Sequence, residues 1–290
     1  MDLQSLRVFL SAAEHGSFSQ AGEELFLTQP AVSKRIAALE RELGARLFDR
    51  IGRRMQLTEA GRALLPRAHQ LWEEVKDIRR SIAGLSDEVA GELSLGTSHH
   101  IGLHRLPPVL KTYSERHPQV RLDIRFMGSE TVCREVERGG LELGIITLPP
   151  QAPADLAVQF LWDDPLLIVV GLDHPLAGTA PSLAELVAHP AVLPSAGTYT
   201  RNILEDALSA RGLVLSVGMT TDYLETLKML AVTGLGWALL PATMLDARLQ
   251  VLTFPRLDLQ RQLGLVTHAR RTLSNAARAM WEICRAEAGA

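Results

Sequence analysis

Cysteine is scarce: two of 290 residues, Cys133 and Cys284, far apart and in no CxxC pair. That leaves no disulfide framework to read, and buried, reduced thiols in a cytosolic protein are expected. No apolar run is long enough to cross a bilayer. Met1–Arg7 lacks the apolar stretch of an export signal, so a cytoplasmic location without a membrane partner is expected. There is no excess of basic charge either, since 30 Lys and Arg face 33 Asp and Glu. The chain as a whole therefore does not look like a binder of polyanions. Internal repeats and low-complexity tracts are missing. So are a Ser-His-Asp arrangement, a phosphate loop and paired catalytic carboxylates. Gly234-Leu235-Gly236 lacks a third glycine and follows a helix, so it is no dinucleotide fingerprint. The reading is of a non-enzyme.

The length calls for two or three domains, and 47% hydrophobic residues supply their cores. Positive charge is concentrated locally. Residues 33–54 hold Lys34, Arg35, Arg41, Arg46, Arg50, Arg53 and Arg54 against only Glu40, Glu42 and Asp49, which marks one DNA-facing module on a neutral body. Just upstream, 17–39 reads as two short helices with a tight turn, following an amphipathic helix over 3–14. Ser17 or Ser19 caps the first of the pair and Thr28 the second, with Pro30 in the first turn where a missing N–H costs little. Val32, Ile36 and Leu39 fall inward by helical spacing. Gln29, Pro30, Ser33 and Lys34 fall on the other face, which is small, polar and basic and suits a DNA major groove. Two extended segments around Gly52-Arg53-Arg54 read as a β-wing whose guanidiniums reach phosphates or a minor groove.

Leu64, Ala68, Leu71, Val75, Ile78, Ile82 and Leu85 alternate spacings of four and three. That heptad seam predicts a long helix over 58–86 that pairs with a second chain, capped by Thr58 and bent near Pro66. Beyond Gly91, strands and helices alternate as in a parallel α/β layer. A strand at 92–96, a helix at 103–116, a strand at 120–126, a helix from a Ser129 cap and a strand at 141–146 form a first unit. After the Pro-rich 149–153, separate strands at 156–161 and 165–170 lead into a second unit. That unit holds helices near 182–188, 199–211 and 222–233 and strands near 191–194, 214–219, 236–240 and 249–254. A strand at 263–267 and a helix at about 274–287 return to the first unit, leaving a cleft between two lobes.

These residues resemble the LysR-type transcriptional regulators. The resemblance rests on Phe18-Ser19-Gln20-Ala21, Thr28-Gln29-Pro30-Ala31-Val32-Ser33, Leu39-Glu40, Leu43-Gly44, Leu47-Phe48-Asp49-Arg50 and Leu57-Thr58-Glu59-Ala60-Gly61. His174-Pro175-Leu176, Gly234-Leu235-Gly236 and Leu240-Pro241 extend it along the chain. It implies an α/β protein with a winged helix-turn-helix over 1–58 and a dimerising linker helix over 59–90. The effector domain over 91–290 would resemble a type 2 periplasmic binding protein, with lobe I at 91–162 and 263–290 and lobe II at 163–262. A homo-oligomer, usually a tetramer, that activates or represses transcription is implied too, and RNA polymerase is a further candidate partner. Gly22 stands where the family usually has Ala, a change costing about 0.5–1 kcal/mol of helix propensity. Lys34 stands where Arg is common, which loses the bidentate fork.

Thr28, Gln29, Pro30, Ser33, Lys34, Arg53 and Arg54, within or beside the helix-turn-helix over 18–37, are the candidate contacts to operator DNA. Gln29 suits adenine, and Ser33 suits a base or phosphate. The effector candidates follow from strand ends, where ligands of open α/β sheets sit. They are Ser98, His99, His100, Ser129, Thr147, Ser195, Thr198, Thr200, Arg201 and Thr220. Hydroxyls and helix N-termini there favour a small organic anion; Arg201 reads equally as the group that neutralises it or as an exposed helix residue. No cofactor is expected. His100 and His104 are four apart and could share a metal, but no third ligand stands beside them, so polar cleft lining is the preferred reading and no metal is assigned. The rival function is a cytosolic solute-binding protein with no DNA role.

Overall fold

The computed structural model of the chain describes residues 1–51, 54–83 and 88–289, with the backbone alone for 50, 51, 54, 76, 77 and 79–83. Two compact units emerge, one on Met1–Leu85 with Arg138–Gly140 and one on Ser86–Glu137 with Leu141–Ala290.

The N-terminal unit runs α1 (Leu3–His15), α2 (Phe18–Leu25), α3 (Gln29–Leu43), β1 (Phe48–Ile51), β2 (Arg54–Leu57) and α4 (Glu59–Ala83). Each early helix starts on a side-chain cap. Asp2 accepts from the Ser5 amide at 2.6 Å, and Ser17 and Thr28 accept from Gln20 and Ala31 at 3.4 Å. Leu6, Phe9, Val32, Ile36, Leu39, Leu47 and Ala68 form one buried core, so the three apolar positions of α3 face inward as their spacing requires. Gly22 does more than weaken a helix. Leu27 donates its amide to the Gly22 carbonyl at 2.8 Å, and a Cβ at Gly22 would stand 2.7 Å from the Leu27 carbonyl oxygen. The tight turn between α2 and α3 is thus fitted to glycine. Glu40 accepts from the amides of Leu47 and Phe48 at 2.7 and 3.3 Å, tying α3 to the entry of the β1–β2 hairpin.

The heptad seam divides along α4. Leu64 and Ala68 pack into the unit's own core, whereas Leu71 and Ile78 stay 39% and 61% exposed. Leu85 lies outside the described residues, as does the Ile82 side chain.

The C-terminal unit is built on β3 (Gly91–Thr97), α5 (His99–His104), α6 (Leu106–Arg116), β4 (Val120–Phe126), α7 (Ser129–Arg138), β5 (Leu143–Thr147) and β6 (Leu156–Gly171). These are followed by α8 (Leu183–Ala188), β7 (Ala191–Leu193), α9 (Tyr199–Ser209), β8 (Val217–Thr220), α10 (Leu224–Val232) and β9 (Trp237–Pro241), then β10 (Leu249–Leu252), β11 (Leu259–His268) and α11 (Asn275–Ala288). The sheet order is β4-β3-β5-β11-β6-β9-β7-β8, with β10 on β6. The layer is mixed. β3 runs parallel to β4 and β5, and β7 to β8 and β9, but β6, β10 and β11 pair antiparallel.

Two departures from the sequence reading matter. First, the segments read as separate strands in different lobes are one strand, β6, of 16 residues. Pro165 is tolerated inside it because pairing with β9 begins only at Leu166, so at Pro165 a single neighbour, β11, must be matched. β11 likewise starts at Leu259 and runs along β6 from Leu166 to Leu156 through a bulge at Leu263/Gly264. A Cβ at Gly264 would sit 2.2 Å from the Gln159 carbonyl oxygen, so this crossing needs glycine. The long pair spans two cores, one around Leu93, Tyr113, Leu143 and Met280 and one around Leu166, Leu204, Trp237 and Leu239. Second, the helix expected over 103–116 is two helices. Arg105 breaks them, and Pro107 and Pro108 restart α6 where missing N–H groups cost little. His99 and His100 therefore sit on α5 and not in a loop. No helix of the described residues is long and apolar enough to cross a membrane.

Candidate functional sites

The exposed start of α3 carries the first site. Thr28, Gln29, Pro30 and Lys34 are exposed and Ser33 is half-buried. Gln29 Nε2 donates to Ser33 Oγ at 2.8 Å, so the two share one face, one turn apart. Thr28 is occupied by its cap, which makes it a positioning group. Arg54 lies in β2, its side chain outside the described residues along with all of Arg53. Sequence reasoning did not single out Phe26, in the turn before Thr28. It is 96% exposed and holds φ 55°, a conformation that favours Gly or Asn. A lone Phe at the end of an amphipathic helix gave no signal of this.

The second site is a cavity of about 370 Å³ in the C-terminal unit. It brings together Ser98, His99, His100, Ser129 and Thr147 from one lobe with Ser195, Thr198 and Thr200 from the other. Two candidates fall outside its lining, Arg201 and Thr220. Arg201 is held by Glu205 at 2.7 Å and by the Pro194 carbonyl at 3.2 Å. The cause is helical rotation: on α9, Thr200 faces the cavity, and the next residue turns about 100° away. Thr220 is exposed at the end of the edge strand β8. Ser129 is the first residue of α7, and its hydroxyl accepts from the Thr147 amide at 3.1 Å. Thr198 donates to the Ser195 carbonyl at 2.9 Å. Several of the expected ligand hydroxyls thus already bond within the protein.

Arg261, on β11, is what the sequence did not disclose. It lines the cavity floor, donates through Nε to Asp164 Oδ2 at 2.7 Å and through Nη1 to Thr200 Oγ1 at 2.9 Å. Arg105 Nη2 lies 3.9 Å from the other Asp164 oxygen. Five buried atoms without a hydrogen-bond partner belong to this cluster: Arg261 Nη2, Arg105 Nε, Asp164 Oδ1 and both ring nitrogens of His100. Unmatched buried polar atoms cost about 1–3 kcal/mol each, so their concentration marks a place made for something else. Burial, reinforced by Arg261, pushes the His100 imidazole down to about 3. Burial also pulls Arg261 down and Asp164 opposes it, yet a guanidinium stays charged. Around Asp164, two cations face one carboxylate, a local excess of positive charge. Arg134, Glu130 and Asp222 also line the cavity. Glu130 accepts from the Tyr199 amide at 2.6 Å and Asp222 from the Ser195 amide at 2.9 Å, so each is fixed in place but keeps its negative charge.

Both cysteines are free and buried, and burial raises both thiols, Cys284 to about 12.

The family model for the LysR substrate binding domain matches residues 86–289, and that for the bacterial regulatory helix-turn-helix of the lysR family matches residues 3–62. The chain belongs to the LysR family. An HTH-type transcriptional regulator of Azotobacter vinelandii, from its ibpB–leuC intergenic region, is 65% identical over 37% of this chain and 75% of its own length. The RuBisCO operon transcriptional regulator of Allochromatium vinosum is 30% identical over 99% of this chain and 97% of its own. Among solved structures, full-length OxyR of Pseudomonas aeruginosa superposes with a TM-score of 0.73 at 25% identity, covering 99% of this chain and 94% of that one. This LysR protein is therefore a DNA-binding, effector-responsive transcriptional regulator that self-associates, of a family that is not enzymatic. That displaces the solute-binding reading without a DNA role.

Proposed function

We propose that this LysR regulator senses a small organic anion on the floor of its cleft and passes that signal to operator DNA through Gln29, Pro30, Ser33 and Lys34. The observation that carries the anion is Arg261, a buried guanidinium lining the cavity with Nη2 unmatched. A carboxylate oxygen there would satisfy that donor and offset the excess cation. The neutral His100 imidazole can donate one further bond. Arg261 thus replaces Arg201 as the neutralising group. The functional division follows the sequence reading, with a DNA-binding head over 1–58, a linker helix over 59–90 and an effector domain over 91–290. Leu71 and Ile78, exposed on α4, suit pairing between two copies, and two dimers would make the tetramer. RNA polymerase is the partner expected downstream, in the cytoplasm.

Two experiments test this. In thermal-shift screening of the full-length protein, small carboxylates should raise the melting temperature, while their amides leave it unchanged. Equal effects of acids and amides would refute the anion. In footprinting of the upstream region of a neighbouring gene, Ser33→Arg should abolish protection while the protein stays folded and oligomeric. An unchanged footprint would remove α3 from the interface.

A further inference from the structure

The third ligand that the sequence lacked is supplied by a distant helix. His100 and His104 lie one turn apart on α5 with ring centroids at 4.7 Å. Glu225, in the first turn of α10, brings Oε1 to 3.4 Å from His104 Nε2. Ligating atoms of all three lie within 4.8 Å of one another. Two ligands on a tetrahedral zinc with bonds of about 2.0–2.1 Å stand about 3.4 Å apart, so one edge of such a polyhedron is already formed. Only rotamer-scale movement is needed to bring in His100.

An exposed His–Glu ion pair would account for His104 and Glu225 alone. It leaves His100 unexplained, with 3% exposure and both ring nitrogens unmatched. A metal on one nitrogen satisfies it and leaves the other free toward the cleft, so the site does not depend on the anion reading. The donor set, two imidazoles and one carboxylate, suits ions of the zinc, cobalt and nickel type. The nearby Arg261 and Arg105 charges oppose a dication; Asp164, 2.7 Å from Arg261, offsets one of them, and Glu225 brings a negative charge to the ion itself. The two helices are already apposed by the His99 and Tyr223 rings, with centroids 5.1 Å apart.

We propose that His100, His104 and Glu225 form a binding site for a divalent transition-metal ion, with three protein ligands and one open position. Because α5 and α10 flank the cleft from opposite lobes, a bound ion would fasten one to the other and bias the cleft's geometry.

The test is titration of the full-length protein with Co²⁺, read by visible absorption, and with Zn²⁺, read by calorimetry. One saturable site per chain is expected. His104→Ala and Glu225→Gln, both at partly exposed side chains, should each weaken it by about 100-fold or more with unchanged circular dichroism, whereas His15→Ala, at the end of α1, should keep it. No saturable binding, or binding that survives both substitutions, would overturn the site. Neither result bears on the carboxylate screen, so the two readings fail separately.

Discussion

The two ends of this regulator solve recognition in opposite ways. On α3 the candidate contacts project from the surface, each polar atom either solvated or bonded one turn away, as Gln29 is to Ser33. None of these side chains is buried, which suits a polyanion met in water. On the cleft floor Arg261, Asp164 and His100 are almost wholly buried, and polar atoms of each go unmatched. Here the protein holds unmatched donors and an acceptor in a buried place, which gives each more strength toward a small ligand and more cost without one. A surface reader can lose a side chain and keep its fold. A cleft reader built on a buried ion pair cannot.

The sharpest way to break the contrast is Arg261→Met, which strands Asp164 in the interior. It should cost the C-terminal unit about 3–5 kcal/mol by chemical denaturation. The double variant Asp164→Leu/Arg261→Met should recover most of that stability without recovering carboxylate binding. If the single variant is as stable as the parent, the pair is not a structural anchor. Gln29→Ala on the other site should leave stability untouched and weaken operator binding by about 1–3 kcal/mol, on the order of 10–100-fold, in gel-shift titration. A parallel fall in melting temperature would contradict the surface-reader picture.

Gly61→Ala probes the scaffold of the head. A Cβ there would meet the Leu47 carbonyl oxygen at 2.2 Å, the same oxygen that accepts from Thr58. Overpacking of this kind costs about 1–3 kcal/mol, and DNA affinity should fall only as far as the folded fraction does. Least of all, Arg201→Gln should remove a partly exposed pair with Glu205 worth under about 1 kcal/mol and leave carboxylate affinity where it was. A large loss of affinity would return the neutralising role to Arg201.

How much was legible follows from the range of the interactions. Caps, the glycine-ended helices and the inward face of α3 are set within a few residues, and Ser17, Thr28, Val32, Ile36 and Leu39 behave as their spacing requires. The strand-end rule placed eight of ten effector candidates around one cavity because loops of an α/β layer converge by topology. It missed Arg201 because a one-residue step on a helix decides the direction. It missed Arg261 because that residue lies inside a strand and not at its end. The helix break at Arg105 and the continuity of β6 through Pro165 were hidden because proline is ambiguous until its neighbours are known.

Helical spacing by itself determined the inward face of α3 and the exposed polar start opposite it, and the order of strands and helices by itself brought eight candidates to one cavity. Only the tertiary structure decided which charges meet in that cleft. Arg261 finds Asp164 and Thr200, and Glu225 finds His104, across 97, 61 and 121 residues of chain. It also decided which half of the α4 seam stays open, since Leu64 and Ala68 are taken up by the head's own core. Such meetings depend on how β6 and β11 run past each other, and no local pattern carries that information.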